Sequence, residues 1–412
     1  MPSQSPTSAA APRAARSALA MLAALCMAFM LSHAYRTAAA MMAGHMQQDF
    51  GLSQQQLGSY AGAFHFAFGA MQLFVGLAID LHGVRKTILA TFPLAVGGAL
   101  LSAAAQSYAT VVLGQVLIGV GCSAAFLVCT VFITRHFAQE RFASVSGLVL
   151  GLGGSGMLLT ATPLAWVVQE ASWRIGFLLL AGLSALAWVV IFVVVREGQP
   201  GQASHRESLG AALRGIARLL VLPQTLGIMA LGGVTYAAFM SLRGLWLGPL
   251  LVQRYGYTLV ESGNVALMVS VVSIIGPPLF GRFGPQGAGR RHCIIGFTLA
   301  LIALFVAMAL ASGVVVVLAA SLLIGFLSGF IVLQYADVRA SYPVALTGRA
   351  MALLNMAMFL GVALMQWLSG VVASMAGGWH LDPYSAALWA IAVMLGVGLV
   401  VFVCIRVPRQ PA

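Results

Sequence analysis

Charged residues are scarce in this sequence. Only 7% of its 412 residues are Asp, Glu, Lys or Arg, while 61% are hydrophobic, and a soluble domain carries about 25% charged residues. This scarcity excludes a soluble globular protein. The uncharged apolar stretches are each about 20 residues or longer, which is the length that crosses a hydrocarbon core of about 30 Å. The composition therefore predicts an all-α membrane protein with many transmembrane helices.

Acidic residues are the scarcer charged class, with nine against 21 basic residues and a net charge of +12. None of the nine is near the centre of a predicted span. They fall at span ends or in loops: Asp49, Asp80, Glu140, Glu170, Glu197, Glu207, Glu261, Asp337 and Asp382. A cation site or a carboxylate proton relay normally uses an intramembrane Asp or Glu. The distribution therefore argues against cation export and against sugar–proton symport.

Basic residues cluster at alternate ends of the predicted spans. The positive-inside rule then places both termini in the cytoplasm. The net positive charge follows from this topology, so we predict no nucleic-acid partner. We expect a multi-pass protein of the inner (cytoplasmic) membrane.

Cysteine is also rare. The five cysteines lie in or beside apolar spans, and no predicted outer loop holds a pair, so a disulfide framework is not expected. We further predict no metal ion, no cofactor and no enzymatic activity.

The apolar pattern predicts twelve spans in two groups of six. They cover residues 18–46, 55–79, 87–106, 109–134, 143–168, 173–195, 223–252, 260–281, 292–312, 314–338, 349–375 and 384–405. The predicted domains are a disordered cytoplasmic tail (1–17), a first bundle (18–195), a polar and basic cytoplasmic linker (196–222), a second bundle (223–405) and a short cytoplasmic tail (406–412).

The two groups of spans resemble a repeat. Gly51 and Gly58 follow the first span, and a glycine pair with the same spacing follows the seventh span, 205 positions later. Arg36 in the first span recurs 207 positions later as Arg243 in the seventh. Parallel repeats of six helices place a binding site near the midplane, between the halves.

Arg36 and Arg243 are the dominant charges inside the predicted spans. An arginine at the centre of a bilayer helix costs about 2.5–3.5 kcal/mol on insertion scales, so it usually faces a cavity, a partner or a substrate. Arginine binds carboxylate or phosphate groups bidentately. We therefore predict an anion held between the halves. The alternative is that each arginine is a buried brace bonded to backbone carbonyls.

The loop between the second and third spans carries a G-x3-D-x2-G-x-R-K pattern. This pattern, in a twelve-span chain, resembles the signature loop of the major facilitator superfamily. The resemblance implies two pseudo-symmetric six-helix bundles and a gate in which Asp80 pairs with Arg141. The implied gating residues are Gly76, Asp80, Gly83, Arg85, Lys86 and Arg141.

The segments Ser32–Arg36 and Leu242–Trp246 resemble the organophosphate:phosphate antiporter branch of that superfamily and its organic-anion relatives. There an arginine from each half clamps an anion. The phosphate-ester branch has a lysine where this chain has Gln72, so the resemblance implies a carboxylate rather than a phosphate dianion. It implies a secondary active transporter of a small organic anion that works by alternating access.

Other polar or aromatic residues on the same spans are candidate substrate contacts. With the arginines, the predicted set is Arg36, Arg243, His33, Tyr35, His65, Gln72, Tyr236, Trp246, Tyr335 and Asn355. Either histidine could also carry protons or be a satisfied core residue. The expected partners are a small anionic substrate, with protons or a counter-anion as candidate co-substrates, and the lipid bilayer. We expect a monomer.

Two other functions stay open. One is a proton-coupled exporter of drugs or metabolites, although Gln115 stands where such exporters usually have an arginine, four residues before Gly119. The other is an anion receptor that does not transport.

Overall fold

A computed structural model describes residues 10–196, 219–285 and 288–405. The described chain consists of helices and short connections. The α-helices are Ala10–Phe50, Gln54–Ala103, Tyr108–Cys122, Ala125–His136, Gln139–Gly154, Gly156–Leu159, Thr162–Glu170, Trp173–Val194, Pro223–Ser241, Leu247–Pro249, Leu259–Phe283, Ala288–Leu310, Val314–Leu327, Ile331–Ser341, Val344–Met375 and Pro383–Cys404. π-Helical turns cover Leu242–Trp246 and Leu250–Arg254, and 3₁₀ turns cover Ser328–Phe330 and Ala376–Trp379.

Eleven of the described helical segments are long and apolar enough to cross a membrane. Gln54–Ala103 counts as two spans, because its 50 residues would extend about 75 Å and it turns at Gly83, where φ is 84°. The twelve spans, numbered in chain order, are Ser17–Phe50, 54–82, 84–103, Tyr108–His136, Ser144–Glu170, Trp173–Val194, Pro223–Arg254, Leu259–Phe283, Gly289–Leu310, Val314–Ser341, Leu346–Trp379 and Pro383–Cys404. The prediction of twelve spans is confirmed.

The first helix begins at Ala10, inside the segment 1–17 that the sequence predicts as a disordered tail. The alanine-rich stretch before the first span favours helix, because alanine has the highest helix propensity. Residues 1–9, 197–218 and 406–412 lie outside the described part of the chain. Most of the predicted linker and all of the second tail fall there.

The repeat is visible in the turns after spans 1 and 7. Gly51 and Gly256 both have positive φ, 62° and 70°, the left-handed conformation in which glycine often ends a helix. Each is followed by a helix that starts with a capping box, formed by Ser53 with Gln56 and by Thr258 with Glu261.

Matching ion pairs join the first and last spans of each bundle at their outer ends. Arg174 at the start of span 6 contacts Asp49 at the end of span 1, with 2.9 Å between Nη1 and Oδ2. In the second bundle the charges are exchanged, and Arg254 of span 7 contacts Asp382 before span 12 at 3.3 Å. Arg174 also donates to a carbonyl just after span 3, and Arg254 donates to the equivalent carbonyl just after span 9. The two bundles therefore share one architecture.

The two bundles pack against each other through their outer halves, where small residues allow the helices to approach closely. A Cβ placed on Gly62 of span 2 would lie 3.0 Å from the carbonyl oxygen of Ala363 in span 11. A Cβ on Gly263 of span 8 would lie 2.7 Å from Ala165 in span 5. At the inner end, the last residues of spans 2 and 4 are exposed, namely 80–82 and 134–136.

Candidate functional site

Arg36 lies in the interface between the bundles and is 5% exposed. Its guanidinium carbon is 4.8 Å from the ring centre of Phe68 in span 2 and 4.8 Å from that of Phe359 in span 11. Aromatic faces attract cations, and more strongly when both groups are desolvated. Arg36 is therefore held between one ring from each bundle.

The hydrogen bonds of Arg36 go to neutral side chains. Nη1 contacts His33 Nε2 at 3.3 Å and the hydroxyl of Tyr236 in span 7 at 3.4 Å, and Nη2 donates to Ser32 Oγ at 3.3 Å. The Nε atom is buried, and no described residue forms a hydrogen bond with it. Arg36 therefore keeps unused donor capacity in a buried position.

Arg243 is fully buried within the π-helical turn Leu242–Trp246 of span 7. Such turns are rare and frequently occur at functional sites. Nε donates to Ser270 Oγ in span 8 at 2.9 Å, and Nη2 donates to the carbonyl oxygen of Met157 in span 5 at 3.0 Å. Nη1 is buried and has no hydrogen-bond partner in the part of the chain that the structure describes.

The Met157 carbonyl is available because span 5 is interrupted there. The amide of Ala161 bonds to Leu158 rather than to Met157, and Pro163 follows at the start of the next helical segment. A break in the i→i−4 ladder leaves a carbonyl that needs a donor. Thr160 Oγ1 of the same span donates to this carbonyl at 3.4 Å, and Arg243 donates to it from the opposite bundle at 3.0 Å, which ties span 7 to span 5.

The two arginines occupy equivalent positions but face different seams. Arg36 points to the seam of spans 2 and 11, and Arg243 points to the seam of spans 8 and 5, which is its counterpart in the repeat. No hydrogen-bond partner is common to both within the described residues. Both ion pairs in that part of the chain lie at the outer ends of the bundles, so neither arginine has a carboxylate partner there.

Both predicted histidines lie near Arg36. His33 contacts the Phe29 carbonyl through Nδ1 at 3.2 Å and presents Nε2 to the arginine. His65 is 1% exposed and contacts the Ala61 carbonyl through Nδ1 at 3.2 Å. Its Nε2 has no hydrogen bond of normal geometry to any described residue. The His65 ring also faces Phe359, with 6.5 Å between ring centres.

Other predicted contacts lie in the packing of a single bundle. The Tyr35 hydroxyl bonds to Ser184 Oγ at 3.0 Å, and Gln72 donates to the carbonyl of Ser123 at 3.3 Å. Both pairs lie inside the first bundle. Their role in binding stays a prediction.

In the second bundle, the Trp246 indole donates to Ser369 Oγ at 2.9 Å. The Tyr335 hydroxyl donates to Asn355 Oδ1. Tyr236 is the predicted second-bundle residue that contacts Arg36 directly.

Three residues near Arg36 were missed from the sequence. Phe68 and Phe359 carry no signal that separates them from lipid-facing or core phenylalanines. Gln366 does carry one, since an amide in the interior of span 11 needs a partner. Its side chain is fully buried, and neither amide atom has a hydrogen bond within the described residues.

The residues of the predicted gate lie at the inner end. Gly83 makes the tight turn that its position predicts. Asp80 and Arg141 are both exposed, and the ion pairs of the described residues do not include them. Arg85 donates to the carbonyls of Val195 and Phe192 at the end of span 6, which braces the first bundle. Of the remaining gate residues, Gly76 is half-buried and Lys86 is exposed.

Two bundles of six spans, with a buried arginine from each that has no carboxylate partner among the described residues, define a polytopic membrane protein. The family model of the Major Facilitator Superfamily matches residues 24–338 and 249–412. The chain belongs to this superfamily. The resemblance to this superfamily that the sequence indicated is confirmed.

Sequence relatives include two bacterial transporters. A probable sulfoacetate transporter of Cupriavidus necator is 23% identical over 185 residues, which are 45% of this chain and 43% of that protein. A D-galactonate transporter of Escherichia coli is 21% identical over 266 residues, or 59% of this chain and 61% of that protein. The chain thus matches less than two thirds of the length of these curated relatives.

Solved structures confirm the fold. A bacterial homologue of the human lysosomal transporter Spinster, in an inward-facing and unoccupied conformation, has a TM-score of 0.73 at 17% identity, covering 94% of this chain and 95% of that one. A D-xylose–proton symporter has a TM-score of 0.72 at 14% identity, covering 94% and 97%. At these identities the likeness concerns the fold alone.

Proposed function

We propose that this protein is a secondary active transporter of a small organic anion, a carboxylate, and that Arg36 and Arg243 bind the substrate during alternating access. The observation that carries the proposal is Arg36, a buried cation between the two bundles with no carboxylate partner within the described residues. A desolvated cation is stabilised when an anion enters beside it. The proposed setting is the inner membrane, with the protein as a monomer.

The described arrangement supports entry from the cytoplasmic side. The bundles are in close contact in their outer halves, while Asp80 and Arg141 are exposed at the inner end. An anion that reaches Arg36 would meet side chains of both bundles, including Tyr236. The free Nη1 of Arg243 offers a donor at the equivalent seam. An anion that bridged both seams would favour the conformation in which the bundles close around it.

The names of the sulfoacetate and D-galactonate relatives support an anion as the cargo class. Each name describes a small acid that is ionised at neutral pH. The lack of mid-span carboxylates among the nine acidic residues supports the same class, because a cation substrate would need a negative partner.

Transport by purified protein in liposomes tests the proposal. Vesicles loaded with an unlabelled carboxylate should accumulate the labelled one by counterflow, and Arg36→Gln or Arg243→Gln should abolish this uptake. Arg174→Gln is the matched control, since that arginine is exposed and lies at the outer end. Normal counterflow by both buried-arginine variants would disprove the clamp.

The same vesicles separate the remaining functions. Uptake or efflux that follows an imposed pH gradient, carries cations and ignores both arginines would indicate a proton-coupled exporter. Anion binding without counterflow would indicate a receptor.

The gate is a further part of the proposal. We infer that Asp80 and Arg141 pair when the inner end closes, since opposite charges within about 4 Å attract even near the surface. Asp80→Arg and Arg141→Asp should each slow transport, and the double exchange should restore part of the rate. A double variant that is no faster than the single ones would contradict this pairing.

A further inference from the structure

Gln366 is an unusual residue in the core of this protein. It lies on span 11, which contacts span 2, and its amide approaches the crossing of spans 1 and 7. A Cβ on Gly244 of span 7 would lie 3.7 Å from Gln366 Nε2 and 2.8 Å from the Arg36 carbonyl oxygen. Its side chain is fully buried, and both amide atoms lack a hydrogen bond within the described residues. Buried amides are normally satisfied, so this one needs an explanation.

Two more unpartnered polar atoms lie beside it. The Gln366 amide approaches the His65 ring closely enough to interact with it, but within the described residues neither His65 Nε2 nor the amide has a hydrogen bond of normal geometry, and the Nε of Arg36 has none either. Phe359 lies between them, because its ring centre is 4.8 Å from the guanidinium carbon of Arg36 and 6.5 Å from the ring centre of His65. A guanidinium, an imidazole and an amide therefore converge at one junction of spans 1, 2, 7 and 11.

The hydrogen-bonding capacity of this group is specific. His65 Nδ1 lies 3.2 Å from the Ala61 carbonyl, so Nδ1 carries the proton and Nε2 of the neutral ring is an acceptor. The Gln366 amide can donate through Nε2 and accept through Oε1. Because these two groups form no direct hydrogen bond of normal geometry within the described residues, a hydroxyl group between them would satisfy both, donating to His65 Nε2 and accepting from the amide. A ketone oxygen would satisfy the amide and leave His65 Nε2 unpaired.

We propose that Gln366 and His65 form a hydroxyl-binding subsite next to Arg36, so that the substrate is a hydroxycarboxylate rather than a simple or keto acid. The inference rests on the proposed function, in which Arg36 binds the carboxylate. Gln366 then determines specificity. A site built to hydrogen-bond a hydroxyl disfavours the analogue without it, because its own polar groups stay unpaired.

Competition for counterflow and ligand-induced thermal stabilisation of the purified full-length protein test this subsite. The probes are matched by chain length: acetate with glycolate, propionate with lactate and pyruvate, and hexanoate with gluconate. In the wild-type protein we expect at least one hydroxy acid to bind at least about tenfold more tightly than its unsubstituted partner. If lactate binds more tightly than propionate, it should also bind more tightly than pyruvate.

Gln366→Leu should remove this preference and leave binding of the unsubstituted acid unchanged. The ligand-free variant should be at least as thermostable as the wild type, since an unsatisfied buried amide is replaced by an apolar group of similar size. His65→Phe should weaken the preference in the same direction. Gln115→Leu is the control: that amide is also buried but donates to the Tyr60 hydroxyl, so its loss should lower thermostability and leave the preference intact.

The outcomes distinguish a failure of the proposed anion site from a failure of the hydroxyl subsite alone. If none of the acids binds to the wild-type protein, the proposed function fails and this subsite with it. If acids bind but the matched partners do not differ, or Gln366→Leu weakens both partners equally, the hydroxyl subsite is wrong while the anion site stands.

Discussion

Arg36 and Arg243 occupy matching positions in the two bundles, yet their surroundings differ. Arg36 lies between two aromatic rings and makes its hydrogen bonds to three neutral side chains. Arg243 is fixed by a serine and by the backbone carbonyl of Met157. We infer that the repeat has diverged: Arg36 is the main ligand for the anion, and Arg243 also ties the bundles together at the seam of spans 5 and 8.

The largest expected effect is a difference between the two arginine variants in their affinity for a carboxylate. Loss of one partner from a buried charge pair costs about 2–5 kcal/mol, and 1.4 kcal/mol is a factor of ten. Arg36→Gln should therefore weaken binding of the best carboxylate by about 30-fold or more, measured by isothermal titration. Arg243→Gln should weaken it less. Equal losses of affinity in the two variants would contradict the inference that Arg36 is the main ligand for the anion.

The second prediction concerns the tie itself. Arg243→Gln removes the bond from span 7 to the Met157 carbonyl, so the outer seam should open more often. Spin labels at Glu170 and Val260, at the outer ends of spans 5 and 8, should show a larger population of long distances by pulsed electron resonance. Arg36→Gln with the same labels is the control. An unchanged distance distribution in the Arg243 variant would mean that the outer closure does not depend on this bond.

The third prediction addresses the aromatic rings around Arg36. A desolvated cation–π contact contributes about 2 kcal/mol or somewhat more, and an exposed one about 0.5–1 kcal/mol. Phe359→Leu should thus slow transport several-fold, and Phe359→Tyr should retain most of the rate. Phe177→Leu removes a buried phenylalanine ring inside the first bundle and should not alter substrate affinity. A Phe359→Leu variant with wild-type kinetics would show that the ring acts only in packing.

The smallest effect is expected at the outer ion pairs. Exposed pairs contribute about 0–1 kcal/mol, so Asp49→Asn and Asp382→Asn should each lower the thermal midpoint only slightly. Because the charges are exchanged between bundles, the two losses should be similar. A large loss in one bundle alone would show that the bundles differ in stability as well as in their buried arginines.

Much of the fold follows from local patterns. The apolar runs define the twelve spans, because each must cover a hydrocarbon core. Gly51 and Gly256 could be identified as a repeat because only glycine adopts the left-handed turn without strain. The signature loop indicated the superfamily, and its glycine makes the expected turn at Gly83.

The residues of the candidate site could be predicted from the sequence only in part. Arg36, Arg243 and His65 were identified because polar groups inside a span need a reason to be there. Gln366 was overlooked because a single amide in a span is also common in helix packing. Phe68 and Phe359 could not be predicted, because an aromatic residue that contacts a cation has the same sequence pattern as one that contacts lipid.

The sequence by itself determined that the chain crosses a membrane twelve times, that its halves repeat, and that positive charge lies inside each half. Those properties depend on hydrophobicity, glycine conformation and the cost of burying charge, all of which are local. The tertiary structure decided which seam each arginine faces, which atoms stay unpaired, and that the halves meet at their outer ends. These depend on how helices distant in sequence pack, because a side chain finds its partners only after the bundles have assembled.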